Sequence, residues 1–396
     1  MLTRRPVRFA TQFGSIQSDP AGAEWIKRAK RIEALGYGTI AMPDHVVGQV
    51  WAPHPALAAI AATTSLRIGT LVLDNDFRNP LITAREAATL DVLSNGRFEL
   101  GLGAGWHRRD YESLGIPFDR GRVRVARLAE SVRLMKRLFT EEEVTFQGTY
   151  YRMEAATCAP KTVQQPHPPI LIAGGGPRIL QLAAQEADIV AIVPYGAGAH
   201  PPTVGEVSFG GARAQLEALR DAAGERFAGI ELSMFLDCLV TDDRERAIAG
   251  LAKRSNTDPE VPRTSVYRGI GTLDQIREHI EKGPGRARDH LLLPPRARCR
   301  EAWTGGAGAR RTVSLRVPLL CRAMSLGKGR RTGVELSGQG ADLQRLPYGV
   351  RLDVGRARVL RITRPPERTR TLPILSSRAS RGSTGWATSG CVLEAA

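Results

Sequence analysis

Cysteine is scarce in this chain: there are five in 396 residues. Cys158 and Cys238 lie in the first 282 residues, and Cys299, Cys321 and Cys391 lie beyond them. No CxxC pair and no metal-type spacing occurs, which argues against a disulfide-framed domain and fits a reducing cytosol. No run reaches the ~18 apolar residues of a membrane-spanning helix. The opening MLTRRPVRFATQFG carries arginines but no continuous apolar stretch of a signal peptide. The expectation is therefore a cytoplasmic protein with no membrane partner. A GxSxG elbow, a Walker loop and a cysteine beside a partner base are also missing, which argues against hydrolysis by a serine or cysteine nucleophile.

What is present divides at Lys282. The net charge of +16 would point to a polyanion partner if it were spread evenly. Residues 1–282 hold 34 Lys and Arg against 33 Asp and Glu, whereas residues 283–396 hold 22 against 7. All but Lys328 of those 22 are arginine, without the aromatics or helices of a groove-reading surface, so no nucleic-acid partner is expected.

Within residues 1–282 short apolar runs alternate with helical patterns. Strands are expected at residues 7–13, 38–42, 66–73, 97–103, 170–173, 188–193 and 231–240. Helices are expected at 22–35, 55–63, 81–93, 123–139, 177–186, 244–254 and 272–282, with a hairpin at 144–151. Trp25, Ile26, Ala29 and Ile32 share one face of the first helix, and Gly36 closes it. Seven strands in this alternation fit a (β/α)8 TIM barrel short of its last strand. A doubly wound sheet is the competing architecture. Its support is the string Gly101, Gly103, Gly105, but Trp106-His107-Arg108-Arg109 follows where a dinucleotide fingerprint should open a helix.

Barrel chemistry sits at the carboxyl ends of strands, which singles out Asp44 and His45 after the second strand. An imidazole there can exchange a proton near neutral pH, although a plain capping pair is the alternative. Gly103 and Gly105 leave room for a ring or tail, with Trp106 as a wall, or serve packing alone. Gly174, Gly175 and Gly176 precede a helix whose first N–H groups form a natural phosphate site, or make a bare turn. His54, His107, His167 and His279 form no pair at metal-ligand spacing, and no metal site is read.

The ordered set Gly-Thr-x-Val at Gly69 to Val72, AATLDVLSNGR at Ala87 to Arg97, GLGAGW at Gly101 to Trp106 and PPILIAGGG from Pro168 resembles the luciferase-like monooxygenase superfamily. The Asp-His dipeptide is similar to that of its coenzyme F420-dependent branch. The resemblance covers residues 7–282 and implies a barrel enzyme in which the deazaflavin exchanges a hydride with a small organic substrate. It further implies His45 beside the ring, a cis peptide between Leu71 and Val72 behind it, Asp74 and Asn75 at its edge, and the phosphate at Gly174–Gly176. An FMN-dependent monooxygenase is the alternative, and a homodimer is compatible with the family.

From Gly283 the periodicity ends, and this tail replaces the barrel's closing strand and helix. It reads either as a disordered basic extension or as codons translated out of frame, in which case the product is an inactive copy of an enzyme. Either way strands 1 and 7 are expected to be left with open edges, unless residues 290–293 substitute.

Overall fold

The computed structural model describes residues 8–12, 22–48, 51–194, 196, 200–281 and 315–321. Its strands are β1 (Arg8–Gln12), β2 (Thr39–Met42), β3 (Arg67–Thr70), β4 (Leu73–Asp74), β5 (Phe98–Gly103), β6 (Val144–Gln147), β7 (Arg152–Ala156), β8 (Ile170–Gly174), β9 (Ile189–Ile192), β10 (Glu231–Val240), β11 (Arg268–Gly271) and β12 (Leu315–Cys321). Parallel pairing runs from β1 through β2, β3, β5, β8 and β9 to β10. β4 continues the line of β3 along the far half of β5.

The ring closes where the sequence offers no periodic signal. β12 lies antiparallel between β10 and β1, pairing Leu232 with Cys321 at one end and Cys238 with Leu315 at the other. The open edges expected for the first and seventh barrel strands are therefore covered, by a segment well into the arginine-rich region. Residues 290–293 lie outside the described residues. β11, also unexpected, pairs with the last four residues of β10.

Alternation along the strands sorts side chains into two environments. Ile40, Met42, Ile68, Leu100, Ile170, Ile172 and Val190 join Leu57, Ile60, Ala84 and Ala87 of the surrounding helices in the main core. Their neighbours Ala10, Ala41, Leu71, Leu171, Ile189 and Ala191 form a second cluster, on the other face of the strands. That is why β2 and β5 are buried at every residue and read as unbroken apolar runs. On the face of β1 that holds Ala10, Arg8 binds Glu231 at 2.7 Å and Glu99 at 2.9 Å, and Arg67 reaches Glu99 at 2.7 Å. These groups occupy the first residue of β1, β3 and β10 and the second of β5, so the base of the ring is tied across by charge. The mouth is left to chemistry.

The first helix, Gly22–Ala34, buries Trp25 and Ala29, with Ile26 and Ile32 packed beside them. Gly36 follows at φ +83°, the left-handed conformation that closes such a helix. In the hairpin β6–β7, the Glu130 carboxylate accepts the N–H groups of Thr149, Tyr150 and Tyr151, so the turn hangs on the helix Gly121–Thr140. Among the described residues no helix is long and apolar enough to cross a membrane.

Candidate active site

Four loops meet the carboxyl ends of β2, β3–β4, β5 and β8. The first carries His45, whose Nδ1 lies 2.6 Å from Asp110 Oδ2. Asp110 comes from the short helix Arg108–Leu114, which is not among the helices expected from the sequence. Its other oxygen accepts the Val47 N–H at 2.8 Å, and His107 Nδ1 stands 3.0 Å from Oδ2. Burial pushes the Asp110 carboxyl upward, but hydrogen bonds from His45, the Val47 N–H and His107 outweigh it and hold the group below the ordinary aspartate range. An ionised, buried carboxylate thus fixes the His45 ring and favours the tautomer with its proton on Nδ1. Trp106 meets the His45 ring edge to face at 5.5 Å and is itself half exposed.

Asp44 serves elsewhere. Both Arg78 guanidinium nitrogens bind its carboxylate, and its Oδ2 accepts the Asp74 N–H at 3.3 Å. It joins the β2 loop to the segment after β4. In sequence Asp44 is the obvious partner for the imidazole; in space Asp110 takes that place.

The Leu71–Val72 peptide is cis, at the bond expected. Gln12, at the end of β1, donates to the Leu71 carbonyl at 2.5 Å, and Leu71 N–H donates to Met42 at 2.7 Å. The glycines of β5 answer to this bulge. A Cβ on Gly101 would stand 1.9 Å from the Thr70 carbonyl oxygen, and one on Gly103 would stand 2.6 Å from Val72. Gly105, at φ +73°, would clash with Tyr111 Oη and Asp74 Oδ2. These three glycines are accounted for by neighbouring protein atoms, so the packing alternative is sufficient for them.

Asp74 lies under this loop with a carboxyl that burial pushes up to about 7, against hydrogen bonds from the Asp76 N–H and the Tyr111 hydroxyl. Tyr111 Oη is 2.9 Å from Asp74 and 3.1 Å from Asp76. Asp76 is in turn paired with Arg127 at 2.7 Å. A cleft of about 420 Å³ opens beside this network, lined by Asp76, Phe77, Arg78, Ile116, Arg127 and Tyr151 among others.

After β8, Gly176 caps the helix Pro177–Glu186 without a side-chain hydrogen bond, and Pro177 occupies its first turn. Gln215, buried in the helix Phe209–Ala223, donates to the carbonyls of Gly175 and Val193 at 2.9 Å each and so holds the loop. A Cβ on Gly175 would be 2.2 Å from Val193 O, a backbone approach that only glycine permits.

Asp110, Arg78, Tyr111, Gln12 and Gln215 all escape a reading by motif. Asp110 alone had a local signal, lying three residues after His107 near the start of a helix.

Known proteins bear on this geometry. The chain is 36% identical over 177 residues to an F420-dependent glucose-6-phosphate dehydrogenase of Intrasporangium calvum, covering 42% of this chain and 52% of that one. It thus spans about half the length of that relative. A protein of the same description from Nakamurella multipartita is 32% identical over 258 residues, 62% of this chain and 72% of its own. Among solved structures, a monooxygenase from Streptomyces bottropensis aligns at 28% identity with a TM-score of 0.53, over 66% of this chain and 81% of that one. An F420-dependent secondary alcohol dehydrogenase in complex with an F420-acetone adduct shares the fold at 20% identity with a TM-score of 0.57, over 70% and 89%. The profile of the luciferase-like monooxygenases matches residues 6–313, three quarters of the sequence, and with the barrel and its cis bulge in place the chain belongs to that family.

Proposed function

We propose that this chain is an F420-dependent oxidoreductase acting on a small organic substrate, with residues 1–282 and a closing strand from the tail as its catalytic body. The observation that carries the reading is the His45–Asp110 pair at the barrel mouth, a proton carrier held in one tautomer by a buried carboxylate. The descriptions of the relatives from Intrasporangium and Nakamurella favour the deazaflavin.

The residues present fit such a cofactor. The uncapped start of the helix Pro177–Glu186 offers the N–H groups of Arg178 and Ile179 to a phosphate, at the positive end of the helix dipole. The Gly174–Gly176 loop is held in shape by Gln215 and brings backbone, in place of side chains, up to the ligand. When bound, the deazaflavin supplies hydride transfer. His45 Nε2 gives or takes the matching proton at the substrate's oxygen or carbon, and Asp110 stabilises the imidazolium. Trp106 shields the His45 ring, and Gln12, through the Leu71 carbonyl, fixes a surface that would support the cofactor.

A second reading has its own support: the chain is 27% identical over 204 residues to an FMNH2-dependent dimethylsulfone monooxygenase of Pseudomonas putida, 51% of this chain and 53% of that one. Fluorescence titration of the purified full-length protein with F420 and with FMN separates the two. Saturable F420 binding that weakens in G175A supports the proposal. Saturation by FMN alone selects the monooxygenase. Binding of neither would favour an inactive product.

A further inference from the structure

We propose that His45, His107 and Asp110 form a binding site for one divalent transition-metal ion of the Zn2+ class. One donor atom from each lies within 4.8 Å of the others. Two imidazoles and one carboxylate are a borderline donor set suited to Zn2+, Co2+ or Ni2+ and poorly suited to Mg2+ or Ca2+, which take oxygen. The histidines stand 62 positions apart in the chain, so sequence spacing conceals the pair. The barrel brings them to ring centroids 5.5 Å apart.

The site is built as well as convergent. The Asp110 side chain is 2% exposed, and with Oδ1 held by the Val47 N–H its Oδ2 is presented between the two rings. His107 supplies an independent sign. Its buried Nδ1 has only Asp110 Oδ2 beside it, at 3.0 Å and too poorly aligned for a full hydrogen bond. Such a nitrogen has a lone pair or a proton that the protein does not satisfy, a state that calls for a ligand. A cation there would convert the misaligned contact into two bonds of ~2.0–2.2 Å to one ion. In tetrahedral geometry the separations of 2.6 and 3.0 Å would open to about 3.3 Å, within reach of the 28–29% exposed histidines. A fourth position would be left for water.

Occupancy has a chemical consequence that rests on the proton-carrier role proposed for His45. An imidazole bound through Nδ1 keeps its proton on Nε2, so it can donate a hydrogen bond but no longer accept a proton. The ion would hold the proposed enzyme off without occupying the cofactor's place.

The test uses full-length protein stripped of metal, without cofactor. Addition of Co2+ should give a single 1:1 complex with visible absorption bands, displaced by Zn2+. H107Q, which keeps the packing, and H107A should each weaken it at least about tenfold, while H200A leaves it unchanged. With 15N-labelled histidine, two of the seven imidazoles should shift at Nδ1 on adding Zn2+. No 1:1 complex below ~1 mM Co2+, an affinity indifferent to H107Q and H107A, or shifts confined to other histidines would overturn the proposal. Because no arm uses F420, a failure of the cofactor reading leaves this result standing and is seen separately in the F420 titration.

Discussion

Asp110 and Asp74 are both aspartates buried near the mouth, and their surroundings push them in opposite directions. Asp110 receives hydrogen bonds enough to stay ionised and so to hold His45. In D110N the shape is kept but the charge and the fixed tautomer are lost. With the F420 reading correct, turnover should fall roughly 10²-fold while F420 affinity in a fluorescence titration stays the same. Asp74 has too few donors to offset burial, and its carboxyl stands near 7 in the fold. The unfolded chain releases that proton near the ordinary aspartate value of ~3.9. Between the two values the folded state holds more protons. The group's contribution to stability is therefore complete below the unfolded value and is lost as pH rises through about 7. Chemical denaturation of the wild type and D74N at several pH values checks this: the variant should lack the decline. Asp110 has the reverse sign, its contribution being present above the ordinary range and lost as acid protonates it.

Among the elements, the helix Pro80–Leu93 shows how far local sequence carries. Asn79 accepts the Leu81 N–H at 2.9 Å as its cap, and Pro80 stands in the first turn. N79A should cost about 1 kcal/mol, read as a shift in denaturation midpoint at constant slope. Asn95 and Gly96 end the helix at positive φ, as Ser94-Asn95-Gly96 indicates from sequence alone. Such elements are legible because cap, period and turn all lie within about fifteen residues. The parallel strands are legible for a different reason, being buried on both faces and so apolar throughout. His45 is legible as a histidine after a strand, and the loop at Gly174–Gly176 as a helix start. What fills in around them is not. Asp110 is 65 residues from His45, and Gln215 is 40 from Gly175. Arg78 is 34 from Asp44. No periodicity encodes such pairs; they exist only once the sheet has curled.

At the scale of the whole barrel, the base is held by Arg8, Arg67, Glu99 and Glu231. Removing the Glu99 carboxylate leaves Arg67 without its acidic partner and Arg8 with Glu231 alone. E99A should destabilise by about 3 kcal/mol, and E99Q by less, in equilibrium denaturation. β12 matters at the same scale for its direction. Seven members of the ring run from base to mouth. β12 runs the other way: Leu315 pairs beside the mouth end of β10, and Cys321 beside its start. The strand thus begins on the mouth side of the ring and ends on the base side. Position 321 therefore stands at the opposite pole of the barrel from His45, and a label joined there would report on closure of the ring without touching the chemistry.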